Sequence, residues 1–221
     1  MSVVKITIDG REISGREGMT ILEAAEQNGI SIPTLCHRPE ISPSGVCRVC
    51  VVEAEGAKTL VGSCHTPIAE GMVIHTRSPK VLSTRKVIVE LLLAAHTGSC
   101  VTDRDAKDCE LHQLASDLEV GPPRFQVRKP RSYAVEENNP YVQRDLSKCI
   151  LCRRCIKVCS EVAQKSVFSV GYRGFWSKII VGCDEPLDTK VCQDCEICID
   201  ACPTGALSKP LALREEEKGA G

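Results

Sequence analysis

Two stretches toward the end of this chain carry its strongest chemical signal: "CILCRRCIKVC" at 149–159 and "CQDCEICIDAC" at 192–202, each C-x2-C-x2-C-x3-C. Thiolates are soft ligands, and four of them within eleven residues suit an iron–sulfur cluster better than structural zinc, which favours two separated C-x2-C pairs. In a doubled run of this kind the first three sulfurs wrap one cluster, and the fourth begins a helix leading to the other. The spacing therefore predicts two [4Fe-4S] sites with crossed ligand sets. Cys149, Cys152, Cys155 and Cys202 belong to one, and Cys159, Cys192, Cys195 and Cys198 to the other.

A further set stands upstream, where Cys36, Cys47, Cys50 and Cys64 are spaced C-x10-C-x2-C-x13-C. Three cysteines on one loop and a fourth apart follow the logic of a plant-type [2Fe-2S] site, although the first gap is longer than its usual C-x4-C. On spacing alone a zinc site stays open. His37 and His65, beside two of these cysteines, read as solvated neighbours, and His75 and His112 receive no role. Between the two regions lies "HTGSCVTDRDAKDC" at 96–109, with His96 and Asp103 where metal-ligand spacing leads one to expect cysteine. Cys183 is left over and, after the strand-like "IIVG", reads as a buried structural thiol.

The elements that must position these ligands are written in the surrounding patterns. "VVKITIDGREI" alternates apolar and polar residues about Asp9-Gly10, which predicts a tight hairpin. In "TILEAAEQNG", Thr20 and Glu23 have capping-box spacing and Gly29 a C-cap position, so a helix is expected over 21–28. Strand, strand, helix is the opening of a β-grasp domain, within an α+β chain. Ser78-Pro79 introduces a helix over 80–95, with Val81, Leu82, Val87, Ile88, Leu91, Leu92 and Ala95 on its apolar side and His96 at its end. Leu111, Leu114, Ala115 and Leu118 predict a shorter helix leaving Cys109. Over 119–147 the periodicity fades into an extended connector bearing Arg124, Arg128, Lys129 and Arg131, read as solvated and next as a partner contact.

Composition excludes several classes. The chain has 221 residues, 43% of them hydrophobic, enough for one or two compact domains. With 28 Lys and Arg against 29 Asp and Glu, it carries no electrostatic footprint for nucleic acid or an anionic membrane. "KVIVELLLAAH" is too short to span a bilayer, and the N-terminus lacks the apolar centre of a signal peptide. Membrane insertion is therefore not expected, and a cytoplasmic location is. Fifteen cysteines in reducing cytosol point to metal or redox chemistry rather than disulfides. With only Trp 1, Tyr 3 and Phe 3, bound cofactors are expected to fill part of the interior. No G-x-G-x-x-G, P-loop or H-E-x-x-H is present, so no nicotinamide, flavin or zinc-hydrolase site is expected.

The ordered set of motifs resembles the N-terminal half of the large iron–sulfur subunit of respiratory complex I. It resembles equally the electron-relay part of [FeFe]-hydrogenases and, since the chain stops just after "CPTGAL", most of all the small diaphorase-type iron–sulfur subunit of NAD(P)-linked [NiFe]-hydrogenases. The resemblance covers about residues 1–208 and implies one [2Fe-2S] and three [4Fe-4S] clusters. It divides the chain into a β-grasp [2Fe-2S] domain (1–78), a helical His/Cys segment (79–118), the connector (119–147), a two-[4Fe-4S] ferredoxin-like domain (148–210) and a flexible tail (211–221). It also implies that His96, Cys100 and Cys109 ligate the middle [4Fe-4S] cluster. Asp103 departs from the family's third cysteine. Its carboxylate as fourth ligand leads, ahead of an open-cornered or three-iron cluster and of a lost site.

The resemblance implies an oxidoreductase subunit with no catalytic substrate site of its own. Its partners would be a flavin- and NAD(P)-binding diaphorase subunit and a hydrogenase subunit. A formate dehydrogenase or another complex I-like module is the alternative, and electron bifurcation stays open. A free-standing polyferredoxin and a zinc-stabilised interaction module are the readings from other classes.

Overall fold

In the computed structural model, β1 (Val3–Ile8) and β2 (Arg11–Arg16) pair antiparallel across Asp9-Gly10. Both turn residues have positive φ, as a two-residue type I′ connection requires. Val4, Ile6 and Ile8 alternate inward and Lys5 and Thr7 turn away, so one face of β1 meets the core. The helix α1 (Ile21–Gln27) follows. Its Thr20 hydroxyl accepts from the Glu23 amide while the Glu23 carboxylate accepts from the Thr20 amide, completing the capping box. Ile21, Leu22, Ala24 and Ala25 form its buried face.

The strands β3 (Val51–Ala54), β4 (Val61–Gly62) and β5 (Val73–His75) complete a five-stranded mixed sheet in the order β2-β1-β5-β3-β4. The β1–β5 pair is parallel and its neighbours are antiparallel. Two longer helices follow, α2 (Pro79–Ala95) and α3 (Glu110–Asp117). Later elements are short: β6 (Gln143–Arg144), α4 (Arg154–Lys157) running into a π turn over Val158–Val162, β7 (Phe168–Gly171), β8 (Lys178–Val181), α5 (Thr189–Cys192), α6 (Ile197–Asp200) and β9 (Leu207–Ser208). Mixed sheet plus helices makes the chain α+β.

The structure describes residues 2–96, 109–125, 132–187, 189–193 and 195–210, in two compact units. The first contains the described residues of Met1–His37, Pro43–Leu91 and Leu114–Phe125, with a core of Ile6, Ile8, Ile21, Leu22, Val52 and Ile74. The second contains those of Arg38–Ser42, Leu92–Gln113 and Gln126–Gly221. Its core joins Val142, Leu146, Val158, Phe168 and Ile179 to Cys155, Cys159, Cys192 and Cys198, so thiols occupy positions that aliphatic or aromatic side chains hold elsewhere. Cys100, Asp103, Arg128, Lys129, Arg131 and the expected tail lie outside the described residues.

Several sequence expectations are corrected. α2 does not bury the stripe read from its apolar residues: Val87 and Leu91 are exposed, while Val81, Arg85, Val89 and Glu90 are buried. The cause is a buried guanidinium with backbone partners, which a hydrophobic pattern does not register. Residues 119–147 are not wholly an extended connector, since β6 pairs with β9 and Glu136 bridges to Arg144. Arg124 is tied down rather than merely solvated, because its guanidinium donates twice to the buried Glu90 carboxylate, at 2.9 and 2.7 Å. Finally, Cys183 is exposed, because the chain turns at Gly182 as soon as β8 ends.

Candidate iron–sulfur sites

The loop between α1 and β3 delivers Cys36, Cys47 and Cys50, and the turn after β4 delivers Cys64; all four are buried, free thiols. Their ionisation is coupled two and two, Cys36 with Cys47 and Cys50 with Cys64. Cys47 donates to Cys36, which lowers the Cys36 pKa and raises that of Cys47, and Cys64 does the same for Cys50. The nearby charge of Cys50, Cys36 and Cys47 also raises Cys64. The buried Ser63 hydroxyl, with no other partner among the described residues, also favours the Cys50 thiolate.

Backbone geometry around Cys50 is fixed from below. Arg48 takes φ of 60°, the left-handed conformation that lets a C-x2-C loop fold back. The buried Arg85 of α2 donates from Nε to the Val49 carbonyl (3.1 Å) and from Nη2 to the Val51 carbonyl (2.7 Å). Among the described residues no carboxylate pairs with it, and burial lowers its pKa to about 10 while the Cys50 charge acts the other way. The two flanking histidines differ. His65 is exposed over Gly62 and Gly45, whereas His37 is only half-buried and hides its Nδ1 from partners, so the solvated reading fails for His37.

In the second unit the two cysteine runs fold alike: loop, then a short helix carrying the third cysteine, α4 for Cys155 and α6 for Cys198. Leu151 and Arg153 both have positive φ, at 57° and 66°, turning the first loop tightly enough for the Leu151 amide to donate to Cys149 Sγ (3.4 Å). Cys149, Cys152, Cys155 and Cys202 line one cavity with Leu146, Ile150, Ile179 and Leu207. Burial, and then the charge of Cys202 and Cys149, pushes the Cys152 thiol up, and Cys155 feels those same groups together with Cys198. Cys198 is raised to about 12 by burial and by Cys192, Cys159 and Cys195. The π turn carries Cys159 away from Cys155, and the Val167 amide donates to its sulfur at 3.3 Å. Each fourth cysteine thus stands with the other run's first three.

Of the middle set, His96 and Cys109 are described and both are buried. The His96 Nδ1–H donates to the Lys148 carbonyl at 2.8 Å, which leaves Nε2 as the lone-pair nitrogen. His112, given no role by the sequence, lies beside them: its Nδ1 is 3.2 Å from Cys109 Sγ. Among the described residues, His96, Cys109 and His112 are the only three or more such groups whose ligand atoms all lie within 4.8 Å of one another. The i, i+3 spacing of Cys109 and His112 at the start of α3 is the signal that could have found it.

The donor sets fit iron–sulfur clusters. A single zinc ion bound by four thiolates gathers all four sulfurs within about 4 Å of one another. Among the described residues no three of the N-terminal or ferredoxin-type sulfurs lie within 4.8 Å of one another, and Cys149, Cys152, Cys155 and Cys202 surround a cavity.

Residues 2–79 match the family of 2Fe-2S iron-sulfur cluster binding domains. Residues 139–208 match the ferredoxin-like domain of NADH-quinone oxidoreductase subunit 3. The two matches describe a [2Fe-2S]-type domain followed by a ferredoxin-like domain. The chain is 39% identical over 218 residues to the NADP-reducing hydrogenase subunit HndD of Solidesulfovibrio fructosivorans, covering 94% of this chain and 36% of that one. It is 36% identical to the NADPH-Fe(3+) oxidoreductase subunit alpha of Geobacter sulfurreducens, covering 96% of this chain and 25% of the other. It is 32% identical to a subunit of the NADH-quinone oxidoreductase of Rhizobium meliloti, covering 93% and 24%. The chain thus spans about a quarter to a third of these relatives. Among solved structures, a chain of an NAD+-reducing [NiFe]-hydrogenase in the H2-reduced state superposes with a TM-score of 0.80 at 29% identity, over 95% of this chain and 88% of that one. The resemblance read from the motifs holds in both sequence and fold.

Proposed function

We propose that this chain is a multi-cluster electron-transfer subunit that relays electrons between a flavin-containing NAD(P)H-oxidising or NAD(P)-reducing subunit and a hydrogenase module. The [2Fe-2S] ligands are Cys36, Cys47, Cys50 and Cys64, two per iron as the thiol pairs suggest. One [4Fe-4S] cluster takes Cys149, Cys152, Cys155 and Cys202, and a second takes Cys159, Cys192, Cys195 and Cys198. A third takes His96, Cys100 and Cys109, with Asp103 as its fourth protein ligand. The domain division read from the sequence is kept. When bound, the clusters accept and release single electrons, at potentials that their ligands and hydrogen bonds set.

The observation that carries the relay is how the three sites of the second unit are joined. His96 is hydrogen-bonded to the carbonyl of Lys148, whose neighbour is Cys149, and the Glu110 amide, next to Cys109, donates to the carbonyl of Pro203, next to Cys202 (2.8 Å). Glu110 also pairs with the buried Arg154, at 2.6 Å. From there Cys155 feels the charge of Cys198 in the last site. Adjacent sites are thus linked through one or two residues, an arrangement suited to transfer from site to site.

Two measurements test the proposal. Native purification under anaerobic conditions should bring down a flavin subunit with this chain; recovery only as a lone species refutes the subunit role. In EPR during reductive titration, neighbouring reduced clusters should broaden one another, and Cys149→Ser should remove that interaction from the histidine-ligated signal. Sharp, independent signals in the wild type would contradict a relay.

A further inference from the structure

We propose that His112, in place of Asp103, is the fourth protein ligand of the His96/Cys109 site, an inference that rests on the reading that this site holds an iron–sulfur cluster and revises only that one ligand. At position 103 the sequence offers a carboxylate in place of a thiolate, which leaves the site short of a donor matched to iron and sulfide; imidazole suits iron better. His112 is placed to supply that donor. It stands one turn into α3 from Cys109, on the same face, and its backbone amide donates to the Cys109 carbonyl at 3.0 Å.

Its ring is 5.3 Å from that of His96, centroid to centroid, and tilted by 58°, so the two imidazoles converge at an angle instead of stacking. The donor atoms of His96, Cys109 and His112 all lie within 4.8 Å of one another, so the three open onto one common space. His96 is already fixed in the ligating tautomer by Lys148, in the way that a backbone carbonyl orients metal-bound histidines. Among the described residues the hydrogen-bond and ring partners of the His112 imidazole are Cys109 and His96.

The alternative is that His112 only donates a hydrogen bond to the Cys109 sulfur. Pulsed EPR on the reduced, full-length protein labelled with 15N-histidine separates the two. Direct ligation predicts two inequivalent, strongly coupled histidine nitrogens in the wild type. His112→Gln should lose one and keep the other, and His96→Gln the reverse. A wild-type spectrum with a single strongly coupled nitrogen, unchanged in His112→Gln, overturns the ligand role of His112 and leaves the cluster reading standing. A spectrum with no strongly coupled histidine nitrogen overturns both. The wild-type spectrum is decisive even if a variant fails to fold.

Discussion

Arg85 shows how one side chain can set both the shape and the charge of a site. It holds the carbonyls on either side of Cys50, and its positive charge lies close enough to be felt there. Reduction adds negative charge to the cluster, so a nearby cation favours the reduced form. Arg85→Met is expected to lower the midpoint potential of the [2Fe-2S] signal and to cost about 1–3 kcal/mol by leaving two buried carbonyls unpaired. Arg85→Lys should keep more of the potential than of the stability. An EPR redox titration of the three proteins checks this, and equal midpoints would refute the charge effect. Glu161 offers a pH test in the second unit. Hydrogen bonds from Ser42, side chain first and then backbone, and from Lys157 lower its pKa from 4.5 to about 2. A depressed carboxylate contributes stability that is full above the unfolded pKa and lost as pH falls through the folded one. The anchoring of residues 38–42 should therefore persist to about pH 4.5 and fade toward pH 2. The Ser42 amide shift in an NMR titration should report that low midpoint, and one near 4.5 would remove the anchor. At this scale the grouping of the cysteines was legible, because their spacing is written in the chain. Arg85 and His112 were not, because a buried cation looks like a solvated one and a histidine's partner lies in space.

The elements give the proposed crossed assignment a physical reason beyond spacing. A helical rise of about 1.5 Å per residue carries a cysteine four positions on roughly 6 Å from its predecessor, toward the neighbouring site. In the first run this step is taken by α4 and the π turn, in the second by α6. Cys202→Ser should therefore disturb the cluster of Cys149, Cys152 and Cys155, whereas Cys159→Ser should disturb the one bound by Cys192, Cys195 and Cys198. Mapping the signal each variant loses, alongside Cys149→Ser and Cys192→Ser, checks the pairing. Loss of the same signal in Cys202→Ser and Cys192→Ser would contradict it. The hairpin, the capping box of α1 and the starts of α2 and α3 were all readable, since each rests on local chemistry. The buried face of α2 and the pairing of β6 with β9 depend on distant partners, which no local periodicity carries.

At the scale of the molecule, the core of the second unit includes four buried thiols, Cys155, Cys159, Cys192 and Cys198, among its aliphatic members. Phe168 is the one buried aromatic residue among the described members of that core, while Phe175 and Trp176 are exposed. Burial raises Cys152, Cys155 and Cys198 as free thiols, so metal binding must expel their protons and replace them with bonds to iron. No helix of the described residues is long and apolar enough to cross a membrane. The most direct measurement is the iron and acid-labile sulfide content of anaerobically purified protein, taken with its EPR spectrum on stepwise reduction. One [2Fe-2S] and three [4Fe-4S] clusters predict a brown protein with about 14 irons per chain and a matching quantity of sulfide. A colourless protein with zinc in excess of iron would contradict the account.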